Sequence, residues 1–92
     1  MASDLNTVTL IGRLTRPSEI RYSQRGGNAV VRFSIAVNRR KRGSNGQWED
    51  EANFFDCVYF GQSAESINQY LDKGRQVAVQ GELHQDRFTG SD

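Results

Sequence analysis

One cysteine, one histidine, one proline and one methionine are all that the 92 residues contain of those types, and each scarcity closes off a class of chemistry. With Cys57 alone, no intrachain disulfide can form, and a reducing cytoplasm is the natural setting, though a processed organellar protein would look the same. Cys57 and His84 cannot assemble a metal cluster or a Cys/His nucleophilic pair within one chain. No Gly-rich phosphate loop with its lysine occurs. The expectation is therefore a protein that is not an enzyme, with no catalytic residues, no metal and no cofactor. No apolar run approaches the roughly 20 residues of a membrane span, and Met1-Ala2-Ser3-Asp4 has neither the basic start nor the apolar stretch of a secretory signal.

What is present is charge, unevenly placed. The net charge is only +1, yet residues 1–48 carry nine basic side chains against two acidic ones, while residues 49–92 carry three against nine. The halves thus hold about +7 and −6. Such a split suits either a pair of complementary solvated faces or an anion-binding surface. An apolar share of 36% describes a polar but foldable chain of one domain, residues 1–92. A domain this small hides only about 60–65% of its unfolded surface, so a partner subunit would add stability and an oligomer is expected.

The patterning is mostly of period two. Over 7–14, Val8, Leu10 and Leu14 alternate with Thr9, Ile11 and Arg13, which predicts a strand. Gly12 inside it marks a bend, a bulge or a close backbone approach. Residues 20–22 form a short extended piece, and the glycines of 23–28 mark a turn. In 29–37, Ala29, Val31, Phe33, Ile35 and Val37 occupy one side and form the predicted core. Residues 39–51 contain four consecutive cations, a Gly-Ser-Asn-Gly stretch and the single tryptophan, a composition suited to a long, mobile hairpin tip. A third strand spans 53–60. Its odd positions, Phe55, Cys57 and Tyr59, are predicted to face inward, and its even positions, Phe54, Asp56, Val58 and Phe60, outward. The period then changes: Ala64, Ile67, Tyr70 and Leu71 predict one helix over 63–73, with Ser63 as N-cap and Gly74 as C-terminal stop. Val77, Val79 and Leu83 predict a fourth strand. The fold class is all-β with one short helix. Its order of strand, strand, strand, helix, strand is that of an OB-fold, a five-stranded Greek-key barrel, with the fifth strand missing or incomplete in this chain.

Asn6-Thr7-Val8-Thr9-Leu10-Ile11-Gly12-Arg13-Leu14 closely resembles the opening of bacterial single-stranded DNA-binding proteins. Glu19-Ile20-Arg21-Tyr22, Phe33-Ser34-Ile35-Ala36-Val37-Asn38-Arg39, Phe60-Gly61, Ala64-Glu65, Tyr70-Leu71, Lys73-Gly74-Arg75-Gln76-Val77 and Gly81-Glu82-Leu83 follow in the family's order. The resemblance spans residues 6–88. It implies an OB-fold, homotetramers (a dimer of dimers) built through the first strands, sequence-tolerant binding of single-stranded DNA, and roles in DNA replication, recombination and repair in the bacterial cytoplasm, associated with the nucleoid. Two departures stand out. Arg16-Pro17-Ser18 replaces the family's Asp-Pro step, and the family's fifth strand and acidic tail are absent, so replication and repair partners are not assigned to this chain.

Single strands offer phosphate charge and unpaired base faces; cations grip the first and aromatic rings the second. The resemblance places stacking aromatics at Phe54, Phe60 and Phe88. The strand pattern agrees for Phe54 and Phe60, whose face is interrupted by Asp56, an expensive place for a core. A fourth family ring falls at Lys41, so here charge replaces stacking. Trp48 reads equally as a supplementary stacking surface or a loop anchor. Arg39, Arg40, Lys41 and Arg42 are the leading phosphate contacts, with Arg21, Arg32, Lys73, Arg75 and Arg87 extending the track, and Arg13 and Arg25 weaker candidates. Glu49-Asp50-Glu51 reads better as paired with these cations than as a cation site. The competing functions are an RNA-binding or primosome-type OB protein, and a structural assembly module in which Phe54 and Phe60 fill a subunit contact.

Overall fold

The computed structural model describes residues 4–23 and 27–85. Strand β1 (Val8–Leu14) alternates as the sequence predicts, with Leu14 buried and Thr9, Ile11 and Arg13 exposed. It is followed by β2 (Glu19–Tyr22), β3 (Ala29–Arg42), β4 (Trp48–Phe60), helix α1 (Ala64–Asn68) and β5 (Gln76–Gly81). All pairings are antiparallel: β2, β3, β1 and β5 are neighbours in that order, and β4 pairs with β3. The short piece after Pro17 is thus a true strand, and the sheet has five. It is open, since β4 and β5 do not pair with one another among the described residues. Residues 86–92, where a further strand would follow, lie outside the described residues.

Leu14, Ala29, Val31, Ile35, Ala64 and Leu71 are buried, with Leu10, Phe33, Val37, Tyr59, Ile67, Val77 and Val79 packed around them. The odd positions of β3 therefore make the core, because a period-two chain can turn only one side chain in two toward it. Phe55 lies opposite buried Ile35, on the inward side as expected, yet is 38% exposed. It lies on β4, whose second edge has no described partner strand to cover it. Gly12 is the predicted close approach. A Cβ there would lie 2.6 Å from the Ala36 carbonyl oxygen, just before β1 meets β3 at Arg13 and Leu14.

Four local expectations are corrected. The hairpin tip is short and ordered by pairing: the β3–β4 ladder runs unbroken from Val30↔Phe60 to Arg42↔Trp48. Opposite charges across the strands stabilise what composition alone reads as a loop. The helix is one and a half turns rather than three, because Tyr70 and Leu71 donate to Ile67 and Asn68 in tighter i→i−3 bonds that end it. Neither predicted cap operates. The Ser63 hydroxyl is 2.5 Å from that of Tyr59 and makes no capping bond, while Gly74, with φ +86°, donates to the Leu14 carbonyl in the turn that enters β5. The last strand also stops at Gly81, two residues before Leu83. There the Asn6 side-chain amide takes over, donating to the Leu83 carbonyl at 2.8 Å and accepting its N–H at 2.9 Å.

Candidate nucleic-acid interface

Directly opposed residues of an antiparallel pair project to the same face, so register alone sorts the candidate side chains. One face of β3–β4 carries the pairs Val30↔Phe60, Arg32↔Val58, Ser34↔Asp56, Ala36↔Phe54, Arg40↔Asp50 and Arg42↔Trp48. Strand β2 extends it with Arg21 opposite Val30 and Glu19 opposite Arg32. Phe54 and Phe60 are 66% and 72% exposed. They are six residues apart on one strand, a separation of about 20 Å, with Asp56 and Val58 between them on the same face.

Asp56 and Val58 line a groove of about 640 Å³ together with Arg16, Glu19, Arg21, Arg32, Phe33, Cys57 and His84. Three guanidinium groups thus surround the surface between two exposed phenyl rings. Arg21 makes only a 4.0 Å contact with Glu19, both well exposed, a pairing of little energetic worth. Arg16 and Arg32 have no ion pair among the described residues. Burial, and then the charge of Asp56, push the Cys57 thiol up from its ordinary value, so this half-buried side chain is a neutral thiol at physiological pH.

The hairpin divides the four consecutive cations. Arg40 and Arg42 share the face of Trp48, and each guanidinium lies 5.6 Å from the centre of its ring. Trp48 remains 59% exposed, so it presents a cation-flanked aromatic surface while its ring contacts tie it to the hairpin. Arg39 and Lys41 point to the opposite face, where Glu49 and Glu51 are their register partners. The run is accordingly two pairs, not one patch.

Lys73 and Arg75 belong to the turn before β5. Arg75 stacks over Tyr70 at 5.9 Å, and the Arg13 guanidinium donates to the Gly74 carbonyl at 3.1 Å. Arg13 also pairs with Ala36, which pairs with Phe54, so it belongs to the same cross-sheet row as that ring. With Arg16 in the groove, it adds a cation to those the sequence pattern ranks first. Only the β1–β3 register brings it there, and a single sequence carries no mark of that register. Arg87 and Phe88, with Arg25, lie outside the described residues. Among the described residues no group of three His, Cys, Asp or Glu side chains could hold a metal, and no helix is long and apolar enough to cross a membrane.

Comparison with known proteins places this geometry in context. The model of the single-strand binding protein family matches residues 5–92. Similar curated proteins include the single-stranded DNA-binding protein of Treponema pallidum (strain Nichols), 54% identical over 86 residues, covering 94% of this chain and 48% of the relative. That of Borreliella burgdorferi is 52% identical over 92 residues, covering 96% and 60%. The chain thus spans about half the length of these relatives. Among solved structures, the Plasmodium falciparum SSB complex with ssDNA superposes with a TM-score of 0.87 at 31% identity, covering all of this chain and 81% of the other. A deletion mutant of the single-stranded DNA binding protein from Thermus aquaticus gives 0.79 at 30% identity, covering 96% and 43%.

Proposed function

The chain belongs to the single-strand binding protein family, and from that premise we propose that it is an OB domain that binds and protects single-stranded DNA during replication, recombination and repair. Bases stack on Phe54 and Phe60, and on Phe88 beyond the described residues. Phosphates run past Arg21 and Arg32 in the groove and past Arg40 and Arg42 beside Trp48. Lys73, Arg75 and Arg87 extend the path. The observation that carries the reading is the pair of exposed phenyl rings on one face with a guanidinium-lined groove between them. Such rings accept any base, because every base has a π-face, whereas duplex DNA keeps its faces stacked.

Assembly follows from the same sheet. Strand β1 meets β3 only at Arg13 and Leu14, which leaves one edge of its first five residues unpaired among the described residues, with Ile11 58% exposed beside it. An open edge recruits another strand, so a homo-oligomer joined through β1, with a dimer of dimers as its full form, is part of the proposal, as is residence in the bacterial cytoplasm.

Titration with poly-dT at low salt should change Trp48 fluorescence, with duplex DNA and RNA competing poorly. Replacing both rings, Phe54→Ala with Phe60→Ala, should cost about 1–3 kcal/mol of affinity per lost stack while leaving the melting temperature near that of the wild type. Absence of poly-dT binding, or equal affinity in the double variant, would sink the reading and favour an assembly module instead.

A further inference from the structure

Parity sorts the four cations of the hairpin by more than direction. Lys41 Nζ lies 3.2 Å from one carboxylate oxygen of Glu51, and Arg39 Nε lies 3.9 Å from the other. The Glu51 side chain is 35% exposed and that of Lys41 42%, so that pair is not at the fully solvated limit where pairing is screened away, whereas Arg39 is 64% exposed and its contact is weak. Arg40 and Arg42, on the Trp48 face, have no carboxylate partner within ion-pair distance among the described residues, even though Asp50 is in register with Arg40. One strand therefore carries a cation, Lys41, that already holds an anion, a second, Arg39, loosely beside it, and two with no carboxylate at ion-pair distance among the described residues.

We infer that Glu51 is an intramolecular stand-in for a phosphate, held chiefly by Lys41 and cancelling one of the two positive charges of Arg39 and Lys41, so that the hairpin offers the DNA strand the charge of three cations rather than four. The inference rests on the DNA-binding reading and deepens it by naming the residue that sets how many cations the hairpin contributes. A cation neutralised by its neighbour has less counterion atmosphere to release, and a phosphate must first displace the carboxylate. Each cation that neutralises a phosphate of a single strand adds about 0.7 to the slope of log affinity against log salt. With one charge cancelled, the hairpin contributes about 2.1 to that slope, where four free cations would contribute about 2.8. The hydrogen bond and charge of Lys41 hold the Glu51 carboxyl below its ordinary range, which keeps the pair charged at neutral pH. Glu49 supplies an internal comparison. It carries the same charge two residues away, but its carboxylate folds against Gly43 and makes no ion pair among the described residues.

The test is poly-dT titration of the full chain between about 50 and 200 mM salt, the interval over which counterion release is large. Glu51→Gln should steepen the slope by about 0.7, so that affinity falls about threefold more across that interval. Glu49→Gln should leave the slope at the wild-type value. Arg40→Gln with Arg42→Gln should flatten it by about 1.4, and Arg39→Gln with Lys41→Gln by about half as much. An unchanged slope in Glu51→Gln, an equal steepening in Glu49→Gln, or equal losses from the two cation pairs would overturn the inference while poly-dT binding itself persists. Failure of the wild-type chain to bind poly-dT at low salt overturns the DNA-binding reading, and the inference with it.

Discussion

The two ends of the β3–β4 ladder share one register and differ in what binds them together. Toward Val30 and Phe60, the strands are fixed by side chains beneath the sheet: Val31 and Ile35 have no exposed surface and sit among Leu14, Ala64 and Leu71. Toward Arg42 and Trp48, nothing is buried, and the strands adhere through Lys41–Glu51, Arg39–Glu51 and the two guanidinium contacts of Trp48. Apolar burial is indifferent to salt and pH over ordinary ranges, whereas surface ion pairs respond to both. A single hairpin thus joins a fixed base to a tip whose order depends on solution conditions, with Phe54 near the boundary between them.

The largest perturbation that separates the two ends is Ile35→Ala. Truncating a fully buried isoleucine costs about 2–5 kcal/mol, and urea denaturation should show the whole sheet destabilised, with the tip lost only as a consequence. Trp48→Ala should do the reverse. Two exposed cation–π contacts are worth about 0.5–1 kcal/mol each, and amide exchange should quicken across 38–52 while the global midpoint moves far less than for Ile35→Ala. If the midpoint falls equally in both variants, base and tip form one cooperative unit and the contrast fails.

The smallest effect is that of pH. Because the folded-state pKa of Glu51 is lowered from 4.5, its pairing stabilises the tip above the unfolded pKa and is lost as the pH falls through the folded value. Tip amides should therefore lose protection on acidification below that ordinary carboxylate value, those around Val31 and Ile35 should not, and Glu51→Gln should abolish the difference. A Glu51 titration measured by NMR at or above 4.5 would contradict the sign.

The base of the ladder was legible in the sequence and the tip was not, for a physical reason. Ala29 to Val37 announces its core face because burial demands apolar side chains at every second position, and Phe54 and Phe60 announce theirs because Asp56 lies between them. In the tip, no side chain is buried, so alternation of apolar with polar residues is lost. Arg39, Lys41, Glu49 and Glu51 then look like loop composition until the register sets them opposite one another. Helix length was overestimated because Ile67 and Leu71 both face the core, at helical spacing, although a tighter turn intervenes. Arg13 shares the row of Phe54 through a pairing between distant strands, which no local pattern encodes.

The Asn6 amide has a kinetic meaning. It joins groups separated by 77 positions along the chain, the kind of contact whose closure entropy is met only after intervening strands have drawn its partners near. This latch should be among the last native interactions to form during folding. Removing it should hasten unfolding while barely slowing the forward rate, since an interaction absent from the transition state acts on the escape from the native basin alone.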